Sequence, residues 1–61
     1  TYVLKAEGFT TEVVAETLEE AATRVHAMSA RPLKEVPSVN GIFFLEDKPR
    51  ARKAVFTLYR P

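Results

Sequence analysis

Only one stretch of this chain, from Leu18 to about Ala30, repeats its apolar residues at helical spacing; the other apolar runs alternate or form short blocks. A lone short helix has nothing of its own kind to pack on, so its apolar stripe must lie on a sheet built from the rest of the chain. The start of the helix is written in Thr17-Leu18-Glu19-Glu20, a capping box. There the Thr17 hydroxyl accepts from the Glu20 N–H, and the Glu20 carboxylate reaches back to the N–H of Thr17. Glu19 and Glu20 also sit at the positive end of the helix dipole. Leu18, Ala21, Ala22, Val25, Met28 and Ser29 form the stripe, and its two alanines predict close approach to the sheet. Glu20 and Arg24 are placed to pair one turn apart on the wet side. Pro32 disfavours helical geometry at Arg31, so the helix is expected to stop by about Ala30.

The strands are read from alternation. Tyr2, Leu4 and Ala6 fall on one side of the first run, and Val3, Lys5 and Glu7 on the other. A reversal at Gly8-Phe9-Thr10 is expected to bring Thr11 to Glu16 back as a hairpin partner. Leu33 to Asn40 admits two readings, because Pro32 and Pro37 argue against a central strand while Leu33, Val36 and Val39 need apolar cover. It is either a loop folded across the sheet or an edge strand leading into the Asn40-Gly41 turn. Ile42-Phe43-Phe44-Leu45 is a strand by composition, and Ala51 to Tyr59 is expected to be the last one. The expected fold is α+β, one small domain over residues 1–61. It consists of a ββα unit followed by two or three strands, with an antiparallel sheet and one helix packed on one face.

Joining the last two strands through a three-residue turn, Lys48-Pro49-Arg50, opposes Asp47 to Ala51, Phe44 to Ala54 and Ile42 to Phe56. Ile42, Phe44, Ala54, Phe56 and Leu58 then face the helix. Phe43, Leu45, Val55, Thr57 and Tyr59 face away, with Lys53 among them and Val3 and Lys5 alongside. A two-residue turn would slip the pairing by one and mix the faces. Since one helix covers one face, Phe43, Leu45, Val55 and Tyr59 are left as an apolar surface of a size that often marks an interaction site. Unless Leu33 to Val39 folds over it, that surface is expected to meet protein, with self-association of two copies into a homodimer favoured and a different protein partner the other occupant, and with Lys5 and Lys53 at its rim.

Composition removes several classes of function. The chain has 61 residues, and 46% of them are apolar, enough for a core and too many for a disordered segment. The absence of cysteine excludes disulfides and thiolate metal sites, and suits a reducing, cytoplasmic setting. The longest apolar run, Ile42 to Leu45, is too short to span a bilayer, so no membrane partner is expected, and the first residues lack a signal-peptide pattern. Net charge is only +1 but uneven. Residues 1–30 carry Lys5 and Arg24 against five glutamates, whereas residues 31–61 carry seven basic residues against Glu35, Glu46 and Asp47. Such asymmetry hints at an anionic partner or head-to-tail association, and also fits a plain solvated surface.

Catalytic chemistry is not legible. His26 is the only histidine; it has Ser29 and Ala30 at the next helical turn instead of a carboxylate, and reads as a surface residue on the polar side of the helix. Gly8 and Gly41 sit at turns, not in a phosphate-binding loop, and neither Ser29 nor Ser38 lies in a nucleophile motif. No enzyme activity, metal, cofactor or small-molecule substrate is expected. The alternative to a protein-binding role is nucleic-acid binding through Lys48, Arg50, Arg52 and Lys53, with Arg60 at the far end and Phe43 and Tyr59 free to stack on bases. The run Val14-Ala15-Glu16-Thr17-Leu18-Glu19-Glu20-Ala21 resembles the corresponding stretch of HicB-type antitoxin domains, where a strand enters a capped helix. No function is carried over from that short run.

Overall fold

The alternating runs pair as strands and the capped run coils as a helix. The structure, a computed structural model, describes all 61 residues. In chain order the elements are β1 (Tyr2–Ala6), β2 (Phe9–Val13), α1 (Leu18–Met28), β3 (Leu33–Pro37), β4 (Gly41–Glu46) and β5 (Phe56–Tyr59). All five strands belong to one antiparallel sheet in the order β2-β1-β5-β4-β3. The fold is therefore α+β, a ββα unit followed by three strands. The last strand in sequence lies at the centre and joins the hairpin before the helix to the hairpin after it.

The helix follows its sequence signals closely. Thr17 is its N-cap and accepts from Glu20 N–H at 3.1 Å, while Glu20 Oε1 takes Arg24 Nη2 at 3.2 Å. The other Glu20 oxygen reaches back toward the N–H of Glu16, one residue before the cap, at 3.4 Å. Ala21, Ala22 and Val25 are buried, so small side chains set the helix directly on the sheet. Beneath them lie Tyr2 and Leu4 from β1, Val13 from β2, Ile42 and Phe44 from β4, and Leu58 from β5. No buried side-chain nitrogen or oxygen lacks a partner. The two ends of the stripe differ from expectation: Leu18 is half-buried and Met28 is exposed.

Turns and registers correct two expectations and choose between the two readings of a third segment. The first reversal is the two-residue turn Glu7-Gly8, with Gly8 at φ 91°, so β2 starts at Phe9 and ends at Val13, short of Glu16. In the last hairpin Ile42 opposes Leu58 and Phe44 opposes Phe56, two residues from the expected register. The connection is the long segment between Glu46 and Phe56 in place of a three-residue turn, and the expected strand from Ala51 shrinks to Phe56–Tyr59. Finally, Leu33–Pro37 is an edge strand beside β4, with Lys34 opposite Leu45 and Val36 opposite Phe43. It does not fold across the sheet. Pro37 is tolerated because an edge strand needs ladder bonds on one side only.

Gly41 marks a close approach. It opposes Tyr59, and a Cβ placed on it would stand 2.8 Å from Tyr59 Cα and 2.9 Å from the Leu58 carbonyl carbon, closer still to the Leu58 oxygen. The backbones of β4 and β5 meet there with no room for a side chain.

Candidate interaction surface

The parity of the strands decides which side chains look away from the helix. Because the shift in the last hairpin is two residues, an even number, the faces are those the alternation implied. Phe43 lies opposite Thr57, and Thr57 lies opposite Lys5; on the other side Phe43 meets Val36, so Lys5, Thr57, Phe43 and Val36 form one row across four strands. A second row runs from Val3 through Tyr59 to Gly41, and Leu45 stands opposite Lys34. Phe43 is 40% exposed and Val36 44%, and Val39, in the β3–β4 turn, is fully exposed. Val3, Leu45, Thr57 and Tyr59 are half-buried by their neighbours on the sheet. Lys5, Val39, Phe43, Tyr59 and Arg60 line a shallow depression of about 650 Å³. Val36 joins this face because Leu33–Pro37 pairs as a strand beside β4, an outcome that Pro32 and Pro37 obscure in the sequence.

Two residues assigned to this face lie elsewhere. Val55 precedes β5 and lines a cleft with Met28, Leu33 and Phe56, at the helix side of the sheet, while its N–H donates to the Phe44 carbonyl at 2.8 Å. Lys53 sits in the long β4–β5 connection, with its ammonium 3.8 Å from a Glu7 carboxylate oxygen and both groups almost fully exposed. Ala54, expected to face the helix from within a strand, belongs to the same connection. The cause is common to all three: the strand they were assigned to begins only at Phe56.

The basic residues of the connection surround a cleft of about 600 Å³ at the end of the sheet. Lys48, Arg50, Arg52 and Lys53 stand around it with Glu7 and Glu46, and Phe9 and Phe56 are among its apolar lining. Part of the positive charge is answered within the chain. Glu46 holds Lys48 at 3.0 Å and Arg31 at 3.3 Å, and these hydrogen bonds, Lys48 first, hold its carboxyl below the usual carboxylate range. Arg50 and Arg52 take part in no ion pair.

His26 also corrects its sequence reading. It is half-buried instead of lying free on the polar side, with Nε2 2.7 Å from Glu35 Oε2 and its ring set edge-on to Phe44, centroids 5.3 Å apart. The carboxylate comes from β3, nine residues along the chain, where no helical spacing could reveal it. The pair ties the helix to the β3–β4 hairpin. No three His, Asp or Glu side chains gather closely enough to hold a metal ion, and no helix is long and apolar enough to cross a membrane.

Comparison with family models, with curated proteins and with solved structures finds no match to this chain. The likeness of Val14 to Ala21 to HicB-type antitoxin domains thus gains no support beyond those residues, and β2 already ends at Val13.

Proposed function

We propose that this chain is a small non-catalytic binding protein that meets another protein through the open face of its sheet, in a reducing compartment such as the cytoplasm. The observation that carries this reading is the position of β3. By pairing beside β4 it leaves the face uncovered and adds Val36 to Phe43, Leu45 and Tyr59. The rim of the face carries Lys5, Lys34 and Arg60, all exposed, against Glu12 on the outer strand. Face-to-face packing of two copies would bring these cations together, so an apolar surface bordered by carboxylates fits better than a second copy does.

The test is the pair Phe43→Ser and Tyr59→Ser. Each large side chain that a partner buries contributes about tenfold or more in affinity. The double variant should keep its helical circular dichroism and lose any protein captured by the wild type through cross-linking. It should also lose any face-to-face dimer seen by sedimentation equilibrium. Unfolding of the variant would mean that these side chains belong to the core, and would sink the reading.

The second reading, nucleic-acid binding, is favoured by the unpaired Arg50 and Arg52 beside the cleft, and weakened by the ion pairs that occupy Lys48 and Lys53. It expects single-stranded oligonucleotide to bind with affinity that falls steeply with added salt, and to be lost in Arg50→Ala/Arg52→Ala. Binding that is absent or insensitive to salt would end it.

A further inference from the structure

The two edges of the sheet are unlike each other. β3 carries Pro37, which has no N–H to give, and Lys34 and Glu35, features that blunt an edge against further pairing. β2, Phe9-Thr10-Thr11-Glu12-Val13, has no proline, no lysine and no bulge, and all but Val13 are exposed. In an antiparallel pair, opposed residues alternate between those that exchange hydrogen bonds and those that do not. The pair closing a two-residue turn is a bonded one. Ala6–Phe9, Leu4–Thr11 and Tyr2–Val13 are therefore the bonded pairs with β1, and the N–H and C=O groups of Thr10 and Glu12 point outward from the sheet.

That outward pattern is self-complementary. When a second copy of β2 is laid antiparallel about Thr11, Thr10 of each copy faces Glu12 of the other, and both residues have free backbone groups to exchange. Thr11 meets Thr11 at the two-fold axis, an unbonded position where two threonines pack well. No like charges are opposed. Phe9 of each copy then stands opposite Val13 of the other, on the helix side of the sheet. Val13 lines a mostly apolar groove of about 360 Å³ between β2 and α1, together with Val14, Ala27 and Met28, and with Glu12 and Arg24 as its charged members. Phe9 is 49% exposed, Val14 72% and Met28 62%, so an apolar side chain without cover and an apolar groove without an occupant lie where the pairing would join them.

We propose that two copies of this chain join edge to edge through β2, antiparallel about Thr11, each seating its Phe9 in the groove that the other forms between β2 and α1. The two-fold axis is perpendicular to the sheet, so both helices lie on one side and both open faces on the other. The product is a continuous ten-stranded sheet with a doubled binding face. This interface uses none of Val36, Phe43 or Tyr59, and stands independently of the role proposed for them.

The experiment is sedimentation equilibrium of the whole chain with Thr11→Lys and Thr11→Glu, separately and mixed. Thr11 is exposed, so neither change disturbs the core. The wild type should be a dimer. Each variant alone should be a monomer, because like charges meet at the two-fold axis, and an equimolar mixture should return to dimer. Phe9→Ser should weaken the wild-type dimer by at least about tenfold, since each copy loses a buried aromatic. A monomeric wild type would overturn the proposal. So would a dimer indifferent to both Thr11 charges, or variants that stay monomeric when mixed. Phe43→Ser/Tyr59→Ser should leave this charge pattern unchanged, which separates failure of the edge from failure of the face.

Discussion

Gly41→Ala should leave little folded protein. The methyl group would press on the backbone of Leu58 and Tyr59, with its carbon within 3 Å of Tyr59 Cα, and a backbone cannot turn aside as a flexible side chain does. Relief requires β4 and β5 to part at Gly41–Tyr59, next to Ile42–Leu58, where two core side chains face each other. Overpacking usually costs about 1–3 kcal/mol and more when the obstacle is rigid. A chain of this length has a total stability of roughly 3–9 kcal/mol. The expected result is a melting transition lowered by well over about 10 °C, or no cooperative transition at all. Gly8 provides the contrast, since an added Cβ there meets nothing within 4 Å and only the positive φ matters. Gly8→Asn should therefore fold, because asparagine tolerates that conformation better than most residues. Equal tolerance at both glycines would mean that the β4–β5 contact is looser than described.

Two neighbouring phenylalanines should behave as opposites. Phe44 is fully buried beneath the helix, with the His26 ring edge-on to it, and Phe44→Ala should cost about 3–5 kcal/mol, most of the available stability. Phe43, one residue earlier, looks out from the open face at 40% exposure. Phe43→Ala removes no core contact, and is expected to cost under about 1 kcal/mol in the isolated chain. Urea denaturation of the two variants side by side measures the difference. Comparable losses would mean that the open face is packed against something within the chain, and the proposed binding surface would go with it.

These contrasts rest on features that were legible to different degrees in the sequence. The helix was legible because its start is local: Thr17, Glu19 and Glu20 act on backbone groups within one turn. The faces were legible because strand side chains alternate with period two, so an error of two residues in the β4–β5 register left Ile42 and Phe44 inward and Phe43 outward. The length of the β4–β5 connection was not. Lys48-Pro49-Arg50 is a sound turn on local grounds, and Lys48 and Ala51 do form one, with Ala51 N–H donating to the Lys48 carbonyl at 3.2 Å. The chain then runs on to Val55 before pairing begins, a choice set by how Phe56 and Leu58 meet Ala6 and Leu4 of β1, 50 and 54 residues earlier. For the same reason, alternation alone puts Val55 and Lys53 on the wrong surface. The His26–Glu35 contact depends on where β3 docks, and two prolines had left that segment ambiguous.

The position of β5 bears on the order of events when the chain folds. The hairpins β1–β2 and β3–β4 each join neighbours in sequence, the cheapest contacts to close, yet no strand of one pairs with a strand of the other. Only Phe56–Tyr59 links them, pairing with β1 on one side and β4 on the other. Until these four residues pair, the inner edges of the two hairpins, β1 and β4, have no partner. Closure is a late step between distant parts of the chain, of the kind that slows folding and leaves strand edges open to wrong partners meanwhile. Phe56–Tyr59 is the keystone of the sheet, and whatever delays its docking prolongs the exposure of both inner edges.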